Sequence, residues 1–303
     1  MNAVLNYIQH KLGEPAELRT LLKKHPEFAV TLEQPPQSVA ASSIVKWHEW
    51  GSEPFNTYPH RGAGMITGWC YNEGRYSGYR VKRKEFIEFG SCERIETWQC
   101  DIQDVAGLSA SKSPLQDFNC LDRMVENRAR EMIEPITREK LSENLAWDEI
   151  RILNRKNSSD YFARYSWDSR VFLMNDGGSH HFSAARYISS RLNVPVPLSG
   201  QLRIYSINEN AVISLKRDFE MFVVGWTDAI NMAFFEAMKS FCAAYLWQYL
   251  PPPYQAKEQV VILLPKSDVR SMKVASVLHQ AGFFDLSKHL DKLIDRQVKF
   301  ARI

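Results

Sequence analysis

The stretch Val171-Phe172-Leu173-Met174-Asn175-Asp176-Gly177-Gly178-Ser179-His180-His181 decides how the middle of the chain folds. Its apolar start reads as a short buried strand, and two glycines end it. Phe182-Ser183-Ala184-Ala185-Arg186-Tyr187-Ile188 continues as a helix of mostly small residues that should stop near Asn193. Glycine takes positive φ without a steric penalty and lets other atoms come close. A helix N-terminus offers unpaired N–H groups and roughly half a positive charge. Strand, glycine pair and helix in that order make a seat for an anion, most often a phosphate.

Each residue of the turn has a candidate part. Gly177, Gly178 and the N–H groups of Ser179 and His180 would cradle a phosphate, with the Ser179 hydroxyl as a further donor. His180 and His181 add donors and, when protonated, charge; Arg186 follows two turns along. Upstream, Asn154-Arg155-Lys156-Asn157-Ser158-Ser159-Asp160 reads as a polar, basic loop that brings Arg155 and Lys156 toward the same place. Residues 151–191 hold seven Lys and Arg against three Asp, an excess of four where the whole chain has a net charge of +3. Plainer readings stay open. A Gly-Gly turn is common between strand and helix, and Asp176 then braces it with its side chain. The His pair could bind a metal, but helix neighbours point about 100° apart and rarely share one ion. No metal is assigned.

Working outward, Glu149–Leu153 and Leu202–Tyr205 read as strands, and Val194-Pro195-Val196-Pro197-Leu198 is extended because of its prolines. Residues 40–120 are rich in glycine and tryptophan and read as β structure. Tyr79, Val81, Phe86 and Phe89 alternate in part with Arg80, Lys82, Arg83 and Lys84, which suits a strand with a solvated basic face. Residues 116–145 keep the three-to-four spacing of an amphipathic helix, interrupted at Pro135. Trp226–Leu250 reads as one long buried helix closed by Pro251-Pro252-Pro253, and Val260–Leu264 as a buried strand. Ser267 is placed to cap a helix over 268–280 that Gly282 stops, and a last helix covers about 285–299. The first 35 residues look helical up to Pro35-Pro36. The fold class is α+β. It is expected as a helical arm (1–36), a β-rich region with an amphipathic helix (37–145), a central α/β unit (146–215) and a mostly helical C-terminal part (216–303).

Gly177-Gly178-Ser179-His180-His181, the alanine-bearing helix after it and Val194-Pro195-Val196 together resemble the signature of the ParB/sulfiredoxin superfamily. The sulfiredoxin form, Gly-Gly-Cys-His-Arg, is nearest. Gly177 and Gly178 fall on its glycines, Ser179 on its catalytic cysteine, His180 on its histidine and His181 on its arginine. The resemblance covers residues 171–205 and implies a turn that grips the phosphates of ATP, or of CTP as in ParB proteins. Some relatives are nucleases or NTPases. Serine at 179 lacks the thiolate chemistry that sulfinic acid reduction needs, so sulfiredoxin activity is not implied. Histidine at 181 lacks the fixed bidentate grip of arginine.

Composition narrows the classes. The chain has 303 residues, 45% hydrophobic and 24% charged, so wholesale disorder and fibrous repeats are excluded. No run of about 18 apolar residues is free of charge, so no membrane partner is expected. The five cysteines are odd in number and no two are separated by only two residues, which fits free thiols in a reducing compartment rather than a zinc site. No secretory signal is visible in the first 25 residues, and the expected location is the cytoplasm. P-loop, nucleophile-elbow, His-Glu-x-x-His and EF-hand motifs are all missing.

The expected function is binding of a nucleotide or nucleic-acid phosphate at the turn, with NTPase or nuclease chemistry as its extension. In that reading His180 is a general acid/base or charge stabiliser, Asp176 orients it or holds Mg²⁺, and ATP or CTP with Mg²⁺ is the expected ligand. The alternative is a non-enzymatic DNA- or partner-binding protein of a bacterial or mobile-element, defence-type system. It draws on the basic run Arg80–Lys84 and on Arg296, Lys299 and Arg302. The oligomeric state, the protein partner and the pathway are not legible.

Overall fold

The computed structural model describes residues 13–33, 37–51, 62–155, 158–254 and 258–300. The fold is α+β, with two sheets among the described residues. In chain order the strands are β1 (Met65–Asn72), β2 (Arg75–Lys82), β3 (Gly90–Asp101), β4 (Val105–Leu108), β5 (Tyr161–Tyr165), β6 (Val171–Met174), β7 (Pro197–Ile207), β8 (Phe219–Gly225), β9 (Tyr245–Tyr249), β10 (Gln259–Pro265) and β11 (Phe284–Asp285). The chain divides into two compact units, each drawn from separate stretches. Met1–Gln34, Lys46–Gly90 and Ile207–Asp295 form one, and Pro35–Val45, Ser91–Ser206 and Arg296–Ile303 form the other.

The first unit carries a six-stranded sheet in the order β11-β8-β10-β9-β1-β2, whose neighbouring pairs run antiparallel. Val260 to Leu264 of β10 are all buried, so both sheet faces are covered, which explains an apolar run without alternation. The core around Phe222, Val224, Ile262 and Leu264 is completed by Leu18 and Leu21 of helix Ala16–Lys24, Phe234 and Met238 of helix Asp228–Phe241, and Val274 and Leu278 of helix Val269–Gln280.

The second unit carries a five-stranded sheet in the order β3-β7-β5-β6-β4. Strands β4 and β6 are parallel neighbours, β5 and β6 antiparallel, and β5 and β7 parallel. Helix Ser179–Leu192 lays Phe182, Ala184, Ala185 and Ile188 into a core with Phe162, Leu173 and Leu202 from the sheet. Helices Leu121–Arg128, Arg130–Ile133 and Arg138–Leu145 pack on it.

Several expectations need correction. The run 226–250 is not one helix. The helix ends at Phe241, where Cys242 takes the left-handed conformation (φ 54°), and Tyr245–Tyr249 then pair with β1 and β10. A run buried on every side hides its period, so helix and strand merge in the sequence. Residues 149–153 are not a strand: Arg151–Asn154 form a single helical turn, and the Asn154 amide donates to the carbonyls of Leu145, Trp147 and Ile150. The amphipathic stretch 116–145 is three helices, broken at Ala129 (φ −153°) and again before Pro135. Asp268, not Ser267, caps the helix that follows β10. Residues 216–303 hold strands β8 to β11 beside their helices. The apolar set Val4, Leu5, Ile8 and Leu12, with Pro35, Pro36 and Arg302, lies outside the described residues. No helix among the described residues is long and apolar enough to cross a membrane.

Candidate functional site

Strand β6 delivers the chain to the C-terminal end of the second sheet, where Asn175 is buried and fully engaged. Its Oδ1 accepts from the amides of Ser109 (3.1 Å) and Ala110 (3.2 Å), and its Nδ2 donates to the carbonyls of Ala110 (2.9 Å) and Gly177 (2.8 Å). The Ser109 hydroxyl donates to the Asn175 carbonyl at 2.8 Å. Because β4 and β6 are parallel, the loops that leave them emerge at the same end, and Asn175 ties them together.

Gly177 and Gly178 then turn the corner with φ of 155° and 66°. The room their missing side chains leave is taken by the chain itself. A Cβ on Gly178 would lie 2.6 Å from both C and O of Glu149 and 2.8 Å from the Ile150 nitrogen, and one on Gly177 would lie 2.3 Å from Glu149 Oε2. Gly178 is therefore required by the backbone packed against it, while Gly177 is favoured by its φ and meets only the end of the Glu149 side chain; the expectation that this room serves a ligand is corrected. The amides remain open. No N–H of residues 177–181 donates to a described group, and Gly178, the N-cap of helix Ser179–Leu192, has no side chain to cap it.

These amides border a cleft of about 570 Å³ lined by Gly177 to His181, Asp176 and Glu149 together with Ala110, Ser111, Lys112, Met132 and Trp147. The Ser179 hydroxyl donates to Ser111 Oγ at 2.9 Å. His180 Nε2 lies 2.8 Å from Ser113 Oγ. Burial, and then the positive charge of Lys112, holds the His180 pKa below its ordinary value. Lys112 makes no ion pair with a described carboxylate.

The His181 ring is fixed from two sides. Asn144 is buried, and its Nδ2 donates to the carbonyls of Met132 and Lys140, both at 2.9 Å, which turns its Oδ1 toward His181 Nδ1 at 3.0 Å. Nδ1 therefore carries the proton of the neutral ring, and Nε2 keeps its lone pair. The ring stacks on Trp147 with centroids 4.3 Å apart and planes at 17°. Burial, followed by the neighbouring His180, holds the His181 pKa down as well. Both rings are therefore poised as neutral bases near pH 7.

The acidic residues at the rim are held by arginines. Asp176 is exposed and binds Arg151, which also reaches Glu149 Oε2 at 3.3 Å. Asp176 bonds Arg151 and not His180, so the orienting part expected of it is replaced: the partner of His180 is Ser113. Asp160 sits beneath, accepting the Asp176 amide at 3.2 Å; burial pushes its carboxyl up, and its Oδ2 has no partner among the described residues. Two expected anion ligands lie elsewhere. Arg186 donates to the carbonyls of Val105 (3.1 Å) and Gln103 (3.3 Å) and binds Asp122 at 2.8 Å, so it fastens its helix to the strand region and does not line the cleft. Arg155 binds Asp148 and Glu149. Lys156 lies outside the described residues. In the run Arg80–Lys84, Arg83 is engaged by Glu85 and Asp218. Among the described residues no group of three His, Cys, Asp or Glu side chains is arranged to hold a metal ion.

The family model that matches this chain is described as a family of unknown function, DUF6685, and the match runs over residues 95–302. The chain belongs to this family. The matched segment takes in every residue that lines the cleft. No match was found among curated proteins or among solved structures.

Sequence reading singled out Gly177, Gly178, Ser179, His180, His181 and Asp176, and all six line the cleft. It missed Ser111, Lys112, Trp147 and Glu149, which also line the cleft, and Ser113, Asn144 and Arg151, which hold lining side chains. The small, hydroxyl-rich run Ser109-Ala110-Ser111-Lys112-Ser113 was the available signal, a loop able to donate from side chains and to approach closely.

Proposed function

We propose that the DUF6685 cleft at Gly177–His181 binds the phosphate of a nucleotide or nucleic acid. The observation that carries this reading is the row of amides 177–181, which donate to no described group and open on a cleft that also holds Lys112. An anion placed there gains hydrogen bonds that would otherwise go to water, together with the field of a 14-residue helix and one ammonium charge. The volume of about 570 Å³ lies in the ordinary range for small-ligand sites. The resemblance of Gly-Gly-Ser-His-His to the ParB/sulfiredoxin turn points to the same ligand, ATP or CTP. A magnesium ion would arrive on the phosphates, since Asp176 is already held by Arg151.

Hydrolysis of a phosphoanhydride or phosphodiester is the extension of this reading. His180, neutral and bonded to Ser113, accepts the proton of an attacking hydroxyl or water, and Lys112 and the amides stabilise the charge that builds on the phosphate. Calorimetric titration of ATP, CTP and GTP tests the site. At least one nucleotide should bind, and Lys112→Ala should weaken it about tenfold, as loss of one charge-assisted contact does. Phosphate release should then disappear in His180→Ala while binding persists. No binding by any of the three nucleotides would overturn the reading.

A further inference from the structure

We infer that Trp147 is the ledge on which the base of the ligand stacks, so that the cleft takes a mononucleotide and not a bare phosphate; this rests on the phosphate reading above. The lining of the cleft has two chemistries. The turn amides and Lys112 are polar, and Met132 and Trp147 are apolar. A nucleotide is divided in the same way, into charged phosphates and a flat, weakly polar base.

Three observations separate Trp147 from ordinary packing. Trp147 is 47% exposed although it stands in a concave site, where a purely structural tryptophan would be covered. Its stacked partner, His181, is locked by Asn144, whose own amide orientation is set by two backbone carbonyls. The indole is thus held from one side by a ring that Asn144 orients, and part of its surface is left to the cleft. Its backbone is held too: the Trp147 amide donates to the Asn144 carbonyl at 3.2 Å and its carbonyl accepts from the Asn154 side chain at 2.9 Å. An aromatic surface ordered before binding loses little entropy when a base covers it, and stacking tolerates every base because each has a π face.

The test compares ATP and CTP with inorganic tripolyphosphate, which has the charge and no base. Wild-type protein should bind a nucleotide about tenfold more tightly than tripolyphosphate, the effect of one stacked base. Trp147→Ala should remove that advantage and leave tripolyphosphate binding unchanged, and Trp147→Phe should keep most of it. The Trp147→Phe variant also guards against misfolding, because it preserves a ring against His181; quenching of indole emission by the nucleotide should be smaller in it than in wild type. Equal affinity for nucleotide and tripolyphosphate in the wild type, or equal weakening of both by Trp147→Ala, would overturn the ledge while the phosphate site stands. Tighter binding of a single-stranded oligonucleotide than of the mononucleotide would overturn the mononucleotide assignment. Failure of every ligand would remove the phosphate reading, and the ledge with it.

Discussion

Two helices of this protein start just after a buried strand, and their first turns are finished in opposite ways. After β10, Asp268 closes helix Val269–Gln280: one carboxylate oxygen accepts from the amides of Arg270 (2.7 Å) and Ser271 (3.0 Å), and the other accepts from Ala244 (3.2 Å). After β6, Gly178 has nothing to offer helix Ser179–Leu192, and the nearby Asn175 side chain is spent on the 109–110 loop and on the Gly177 carbonyl. Asn208 and Thr227 cap two further helices in the manner of Asp268. The lesson is local. A side-chain cap satisfies orphan donors within the chain, whereas a glycine cap packed against its neighbours leaves those donors to whatever enters the cleft.

The largest test of this contrast is Gly178→Ala. The new methyl meets the Glu149 carbonyl group at about 2.6 Å in a left-handed residue, so stability should fall by about 2–4 kcal/mol in urea unfolding. A loss below about 1 kcal/mol would show that the Glu149–Ile150 segment yields easily, and the packing argument for the glycine would fail. Asp268→Ala removes three accepted hydrogen bonds and should cost about 1–2 kcal/mol, without changing nucleotide binding in the other unit. If it weakened binding as much as Lys112→Ala, the two corners would not be independent.

The smallest effect is the pH dependence that the open corner contributes. His180 and His181 have their pKa values lowered by burial, so the folded state resists protonation that the unfolded chain accepts near pH 6.5. Their contribution is present above about pH 6.5 and is lost as the pH falls toward the lowered folded values. The melting temperature should therefore decline between about pH 7 and 5, less steeply in a His180→Ala, His181→Ala double variant. Asp160 acts oppositely: its raised carboxyl stabilises the fold below about pH 4, and that gain is lost as pH rises through the raised value. An unchanged slope in the double variant would remove the histidines as the cause.

The legible parts of the fold were those whose signals are local. Strand β6, the glycine corner and the stop at Asn193 (φ 51°) each depend on neighbouring residues, and so does β10. Strand β9 was not legible, because Ala243 to Leu246 are buried and carry no alternation to separate them from the helix before. Half of the cleft was hidden for a different reason. Lys112 and Trp147 reach the turn only because β4 lies parallel beside β6 and helix Arg138–Leu145 packs on helix Ser179–Leu192. Those are pairings over long sequence separations that no single stretch encodes. Arg186 and Arg155 looked available as charges in the sequence, yet each had nearer acids to satisfy.

The interleaving of the two units limits how the protein can be cut. Each is stitched from three stretches, so no single truncation frees either one. A fragment trimmed to residues 95–302 would lose β1 and β2, and with them the partner that covers the side of β9 opposite β10. The backbone amides and carbonyls bared along β9 would invite strand addition from another molecule, so such a fragment should self-associate more than the 303-residue chain.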